Sequence, residues 1–217
     1  MKERLERDDL VELLLAVAEE MIAAKDDLGA LDAAIGDGDL GVTMMLGFRA
    51  IQDTLGKVPP SDLQGIFMAC ATAFADKAPS TFGALMATMF SRCGRVIKGQ
   101  EGIGPAEATA MLQAAAEGVQ QRGKAALGEK TVLDALIPAA EAFGRASAEG
   151  KALAGCLAES LSAAQTGAEA TVGMRSRAGR SSWLGERTVG AKDPGAAALV
   201  SMLAAAQRYI MGWGGRN

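Results

Sequence analysis

Residues 31–45, LDAAIGDGDLGVTMM, place Asp32, Asp37 and Asp39 among Gly36, Gly38 and Gly41 within ten positions, directly ahead of an apolar run. Gly36 and Gly38 free the backbone to fold so that the carboxylates can converge. Two bare carboxylates about 4 Å apart repel by about 4 kcal/mol at an effective dielectric of about 20. Three together must therefore splay into water as a solvated capping turn or share a cation. An oxygen-only set of hard ligands favours Mg2+ or Ca2+ over zinc. The position beside a helix start, where anions are also favoured, tilts the reading toward metal.

Two other patterns fail on spacing. Residues 36–41, GDGDLG, match G-x-G-x-x-G letter for letter, but no strand precedes them and the aspartates would repel a bare pyrophosphate. An EF-hand loop begun at Asp37 puts Gly41 at the third ligand position and Phe48 where a bidentate glutamate belongs.

A second chemical stretch lies far along the chain. Arg175, Arg177, Arg180, Arg187 and Lys192 fall within eighteen positions of an otherwise acidic sequence. The run reads either as a solvated basic loop or as guanidinium groups set out among Gly and Ser to hold phosphates. Trp183, in its middle, could cover a base but is expected to anchor the loop, and Met44, Met45, Met86 and Met89 are expected to fill the core.

The elements that must position these residues are helical. Alanine, leucine and methionine are abundant and aromatics make up 4% of the 217 residues, which favours an all-α fold in a single domain. Apolar spacing and end signals predict eight helices. The first runs from Leu10 to Leu28 and stops at Gly29; the second covers Gly41–Leu55. The third starts at a Ser61/Gln64 capping box and ends near Asp76, and the fourth spans Gly83–Ile97. Pro105–Gly123, Thr131–Ala146, Lys151–Met174 and Pro194–Met211 complete the set, the last capped by Asp193. If neighbours run antiparallel, residues 29–40, 77–82, 124–130 and 175–192 share one end, and four helix N-termini point their unpaired N–H groups at it. The opposite turns, including GKVPP at 56–60, read as ordinary.

Composition narrows the chemistry. The net charge of −4 gives nucleic acid no general attraction. Cys70, Cys93 and Cys156 are odd in number and lie in apolar helical contexts, so reduced core thiols in the cytoplasm are expected. No run approaches the about 20 apolar residues of a membrane span, and the charged start MKERLERDDL is unlike a leader. There is no histidine, so a phosphohistidine, a Ser-His-Asp triad and an imidazole metal ligand are excluded for this chain.

Three segments taken together, LDAAIGDGDLG, RGKAALGEKTVLDAL and GRSSWLGERTVGAKDPGA, resemble in order and spacing the nucleotide-binding L subunit of the dihydroxyacetone kinases, from about Asp9 to Met211. The resemblance implies an eight-helix antiparallel up-and-down barrel with a nucleotide site at one end. It implies two Mg2+ ions held by Asp32, Asp37 and Asp39. It also implies ADP or ATP met by Gly41, Val42 and Thr43, by Thr81 and Phe82, by Gly123, Val132 and Arg180, and by Asp193, Pro194 and Gly195.

The implied activity is phosphoryl transfer to a small ketose held by a separate subunit through its own histidine. A phosphohistidine-bearing phosphotransferase-system subunit recharges the nucleotide in one branch of the family. Direct ATP use on a ketose such as a tetrulose is the alternative, and a non-catalytic nucleotide-sensing module is the rival class. The reading is compatible with a homodimer. Leu40 replaces the histidine usual after the third aspartate, and APSTFG, with Phe82, replaces a small GGASGP turn; both changes touch the phosphate end.

Overall fold

Helix formers with apolar residues at helical spacing do fold as rods. In the computed structural model, which describes residues 3–57 and 60–212, nine α-helices account for the framework among the described residues. They are α1 (Arg7–Ala23), α2 (Lys25–Ile35), α3 (Leu40–Leu55), α4 (Leu63–Lys77), α5 (Thr81–Val96), α6 (Pro105–Gly123), α7 (Leu133–Ala148), α8 (Leu153–Ala170) and α9 (Pro194–Met211). Short 3-10 turns at Thr171–Gly173 and Arg180–Thr188 lie between α8 and α9.

Eight of the nine helices close a ring. Helix α1 packs on α3, α3 on α4, and so on in sequence to α9, which returns to α1. Five of the seven links between ring neighbours are nine residues or shorter, so consecutive rods run back on one another. The interior is mostly apolar. At its centre Phe48 of α3 meets the edge of Phe74 of α4 with ring centroids 5.2 Å apart, and Phe90 of α5 joins both. Met44, Met86 and Met89 are buried there as expected, and Met45 is partly so. The segment before α1 is tied to the α5–α6 turn by paired backbone hydrogen bonds between Leu5 and Ile103.

The first rod departs from its expected form. It breaks at Ala24 and continues through Gly29 to Ile35 as α2, an additional helix lying on α3. Gly29 is a crossing point instead of a stop: a Cβ on Gly41 would lie 2.0 Å from Lys25 O and 2.8 Å from Gly29 N. Other ends shift by a residue or two, except that the helix expected over Lys151–Met174 ends four residues early at Ala170, where a 3-10 turn over Thr171–Gly173 takes over. Asp62, not Ser61, caps α4, its Oδ1 accepting from Gly65 N at 2.7 Å. Helix α7 starts at Leu133 because Asp134 accepts from Gly128 N and Thr131 N, holding residues 128–131 in a turn. The turn expected over 56–60 includes residues 58 and 59, which lie outside the described residues. No described helix is long and apolar enough to cross a membrane.

Candidate functional site

Asp32 comes from the last turn of α2. It is buried, and its Oδ2 accepts from Leu40 N at 3.1 Å, which satisfies an unpaired donor at the start of α3. The link 36–39 turns tightly behind it. A Cβ on Gly36 would sit 2.3 Å from Asp32 Oδ1, and Gly38 adopts φ +79°, a left-handed conformation open chiefly to glycine. The turn returns Asp37 and Asp39 to Asp32, so one carboxylate oxygen from each lies within 4.8 Å of the others. Burial, and then the Asp32 charge, hold the Asp39 carboxyl above its ordinary range.

Four helix starts face the same cavity of about 150 Å3, through Leu40 of α3, Thr81 of α5, Val132 ahead of α7 and Pro194 of α9. Ser80 caps α5, its Oγ accepting from Gly83 N at 3.0 Å, and also receives a hydrogen bond from Thr43 Oγ1 at 3.1 Å. Asp193 caps α9, its Oδ1 accepting from Ala196 N at 2.7 Å. Burial pushes the Asp193 carboxyl up to about 7; the Asp134 and Asp32 charges add to this, while the Ala196 N–H and Lys130 oppose it. Each exposed helix start contributes partial positive charge, so an anion placed among them is favoured.

The arm 175–192 covers this end. Arg180 extends from it and donates to Asp37 and, at 3.4 Å, to Asp39. The other cations of the run do not all gather there: Arg175 pairs with Glu186 at 3.1 Å and Lys192 with Glu169 at 2.6 Å. Trp183 is 93% exposed at the arm's surface, so the anchoring expected of it is not what the structure shows.

Of the residues singled out in the sequence, Asp32, Asp37, Asp39, Thr81, Phe82, Val132, Arg180, Asp193, Pro194 and Gly195 line the cavity. Phe82 lies against Gly195, where a Cβ would come within 2.7 Å of its ring. Gly41, Val42 and Thr43 form the first turn of α3 and lie off the cavity wall, with Thr43 linked to it through Ser80. Gly123 ends α6 beside Leu85, which does line the wall.

Two contributors escaped the sequence reading. Ser80 looked like a loop residue; its position ahead of a helix start is the signal that could have found it. Lys130 is 1% exposed at a left-handed φ of 60° and gives its ammonium hydrogens to three backbone carbonyls. A lysine between glutamate and threonine in the sequence carries no such signal.

A larger groove of about 700 Å3 runs along the outside of α4, α5 and α6 past Arg92, Arg95 and Arg122. It shares Ser80 with the site but is lined by no carboxylate, so it does not compete as a metal centre.

Fold and site together define an all-α ring whose one end combines a cluster of three carboxylates with helix starts suited to anions. The family model for the DAK2 domain matches residues 34–208. The chain is 30% identical over 199 residues to the PEP-dependent dihydroxyacetone kinase, ADP-binding subunit DhaL, of Escherichia coli (strain K12), covering 92% of this chain and 95% of that one. It is 31% identical to the D-erythrulose kinase of Mycolicibacterium smegmatis over 85% of this chain and 32% of that one. Among solved structures it is similar to the dihydroxyacetone kinase of C. freundii in complex with AMP-PNP and Mg2+, with TM-score 0.71, 25% identity, and coverage of 96% of this chain and 35% of that one. The chain belongs to the DAK2 domain family. It spans nearly the whole of the E. coli DhaL subunit and about a third of the longer kinases.

Proposed function

We propose that this chain is the DhaL-type phosphotransferase subunit of a dihydroxyacetone-type kinase, carrying Mg-bound ADP or ATP at the acidic end of the ring and passing a phosphoryl group to a small ketose held by a partner. The observation that carries the reading is the convergence of Asp32, Asp37 and Asp39 beside the helix starts of α3, α5, α7 and α9. The names of its relatives, dihydroxyacetone kinase subunits and a D-erythrulose kinase, support the reaction class.

The donor set fits magnesium. It is all oxygen, three carboxylates share one small volume, and the buried Asp32 is fixed by Leu40 N while Asp37 and Asp39 stay open to solvent. We assign two Mg2+ ions to these three residues. Bound there, the metal supplies charge neutralisation to the phosphate oxygens during in-line transfer. The chain's own residues do the positioning. Thr81 and Phe82 at the start of α5, with Ser80 beneath them, and Gly195 at the start of α9 direct amide N–H groups at the phosphates, while Pro194, which has no N–H to donate, shapes the wall. Arg180, released from the aspartates, pairs with phosphate oxygen. A cavity of about 150 Å3 is smaller than the roughly 300–1,000 Å3 of most ligand pockets. The nucleoside therefore lies outward, over Leu85, Val132 and Gly123.

The chain has no histidine, so covalent capture of the ketose and any phosphohistidine relay fall to partner subunits. The deciding experiment is to purify the chain, denature it, identify released nucleotide, and then assay turnover with a ketose-holding subunit. Co-purifying ADP that ATP does not exchange supports a fixed relay, and an empty site that takes up ATP supports direct ATP use. Nucleotide bound with no transfer under either pairing would contradict the kinase reading in favour of a sensor.

A further inference from the structure

Lys130 is the most deeply buried cation among the described residues, and it sits between the site and the arm. Its Nζ donates to Met174 O at 3.1 Å, Thr188 O at 2.5 Å and Ala191 O at 2.6 Å. An ammonium has three hydrogens, and all three are used. The acceptors are the residue just before the arm and two near its end, so one side chain ties both legs of an eighteen-residue excursion to the start of α7. Neighbouring bonds follow the same path: Arg177 N donates to Glu129 O at 3.0 Å, Ser176 N to Thr188 Oγ1 at 2.9 Å, and Gly190 N to Val172 O at 2.8 Å.

The backbone supports the same conclusion. Lys130 keeps a left-handed φ that non-glycine residues avoid, and Asp134 holds the turn in that shape through Gly128 N and Thr131 N. A glycine would relax the backbone but could not reach the carbonyls. An arginine carries a planar fork in place of a compact three-donor head. Buried carbonyls left unpaired are costly, so the arm's base depends on this lysine.

We propose that Lys130 is a positioning residue that clasps the arm 175–192, setting Arg180 over the acidic cluster and Asp193 at the start of α9. The clasp is a property of the chain alone; its consequence for nucleotide rests on the function proposed above.

Two measurements test it. In the wild-type chain at neutral pH, side-chain nitrogen NMR should show one lysine ammonium whose hydrogens exchange slowly, against fast exchange for exposed lysines; its absence overturns the proposal without any variant. In Lys130→Met, trypsin should cut after the arm arginines at least about tenfold faster than in wild type without nucleotide, the loss expected when charged hydrogen bonds to several carbonyls are removed. Mg-ADP affinity should fall by a similar factor while Mn2+ alone, followed by EPR, binds no more weakly than in wild type. An arm as resistant as wild type, or unchanged Mg-ADP affinity, overturns the clasp. A wild-type chain that binds no Mg-ADP would instead refute the nucleotide reading, leaving the ammonium and trypsin results to decide the clasp.

Discussion

Arg180 and Asp37 are 143 positions apart in sequence and form an ion pair across the mouth of the site, with Asp39 at 3.4 Å from the same guanidinium nitrogen. A guanidinium occupies the place where a divalent cation would neutralise the carboxylates. Under the proposed function, Arg180 and the metal would therefore compete for the aspartates but cooperate on phosphate. Both side chains are about half exposed, so the pair is screened and modest. Arg180→Gln should bind Mn2+ alone about two- to fivefold more tightly and Mg-ADP more weakly. Weaker metal binding in the variant would show that the arginine does not compete.

Asp193 gives the chain a pH-dependent stability. Its carboxyl titrates near 3.8 when solvated and about 7 when folded, because burial disfavours the charge. Between those values the folded chain holds a proton that the unfolded chain has lost. Its contribution is fully present below pH 3.8 and is lost as pH rises through 7. Asn at this position keeps an oxygen for the Ala196 N–H. Denaturation midpoints should then show Asp193→Asn gaining on wild type between pH 5 and pH 8. A variant that tracks wild type at both values would disprove the assignment.

Ser80 links two elements of the site, capping α5 and accepting from Thr43 of α3. Ser80→Ala should cost about 1 kcal/mol of stability from the lost cap, read by denaturant titration. Mg-ADP affinity should also fall, since the start of α5 is no longer fixed to that of α3. Ser80→Thr should restore most of both, whereas an alanine variant with unchanged binding would limit Ser80 to a structural part.

Much of this architecture was legible in the sequence because local signals and the packing agree. Pro105, Pro194 and Asp193 mark helix starts that the structure keeps to the residue. The acidic turn was legible for the same reason, since Gly36 and Gly38 both serve the fold that gathers the aspartates. Gly29 misled because helix-ending and close-crossing glycines look alike in a sequence, and only the approach of α3 at Gly41 separates them. The arm was read by composition alone. Composition could not reveal that Glu186 and Glu169 engage Arg175 and Lys192, that Trp183 faces outward, or that Lys130 sits beneath the arm. Those facts depend on pairings made across the fold.

The proposed function requires that Asp32, Asp37 and Asp39 together hold the metal that binds nucleotide to the ring. Calorimetric titration of Mg-ADP into wild type and Asp37→Ala, with helical content followed by circular dichroism, tests it most directly. Mg-dependent binding is expected in wild type, none measurable in Asp37→Ala, and the same helicity in both. Equal affinity in the two proteins, or wild-type binding that is indifferent to Mg2+, would contradict it.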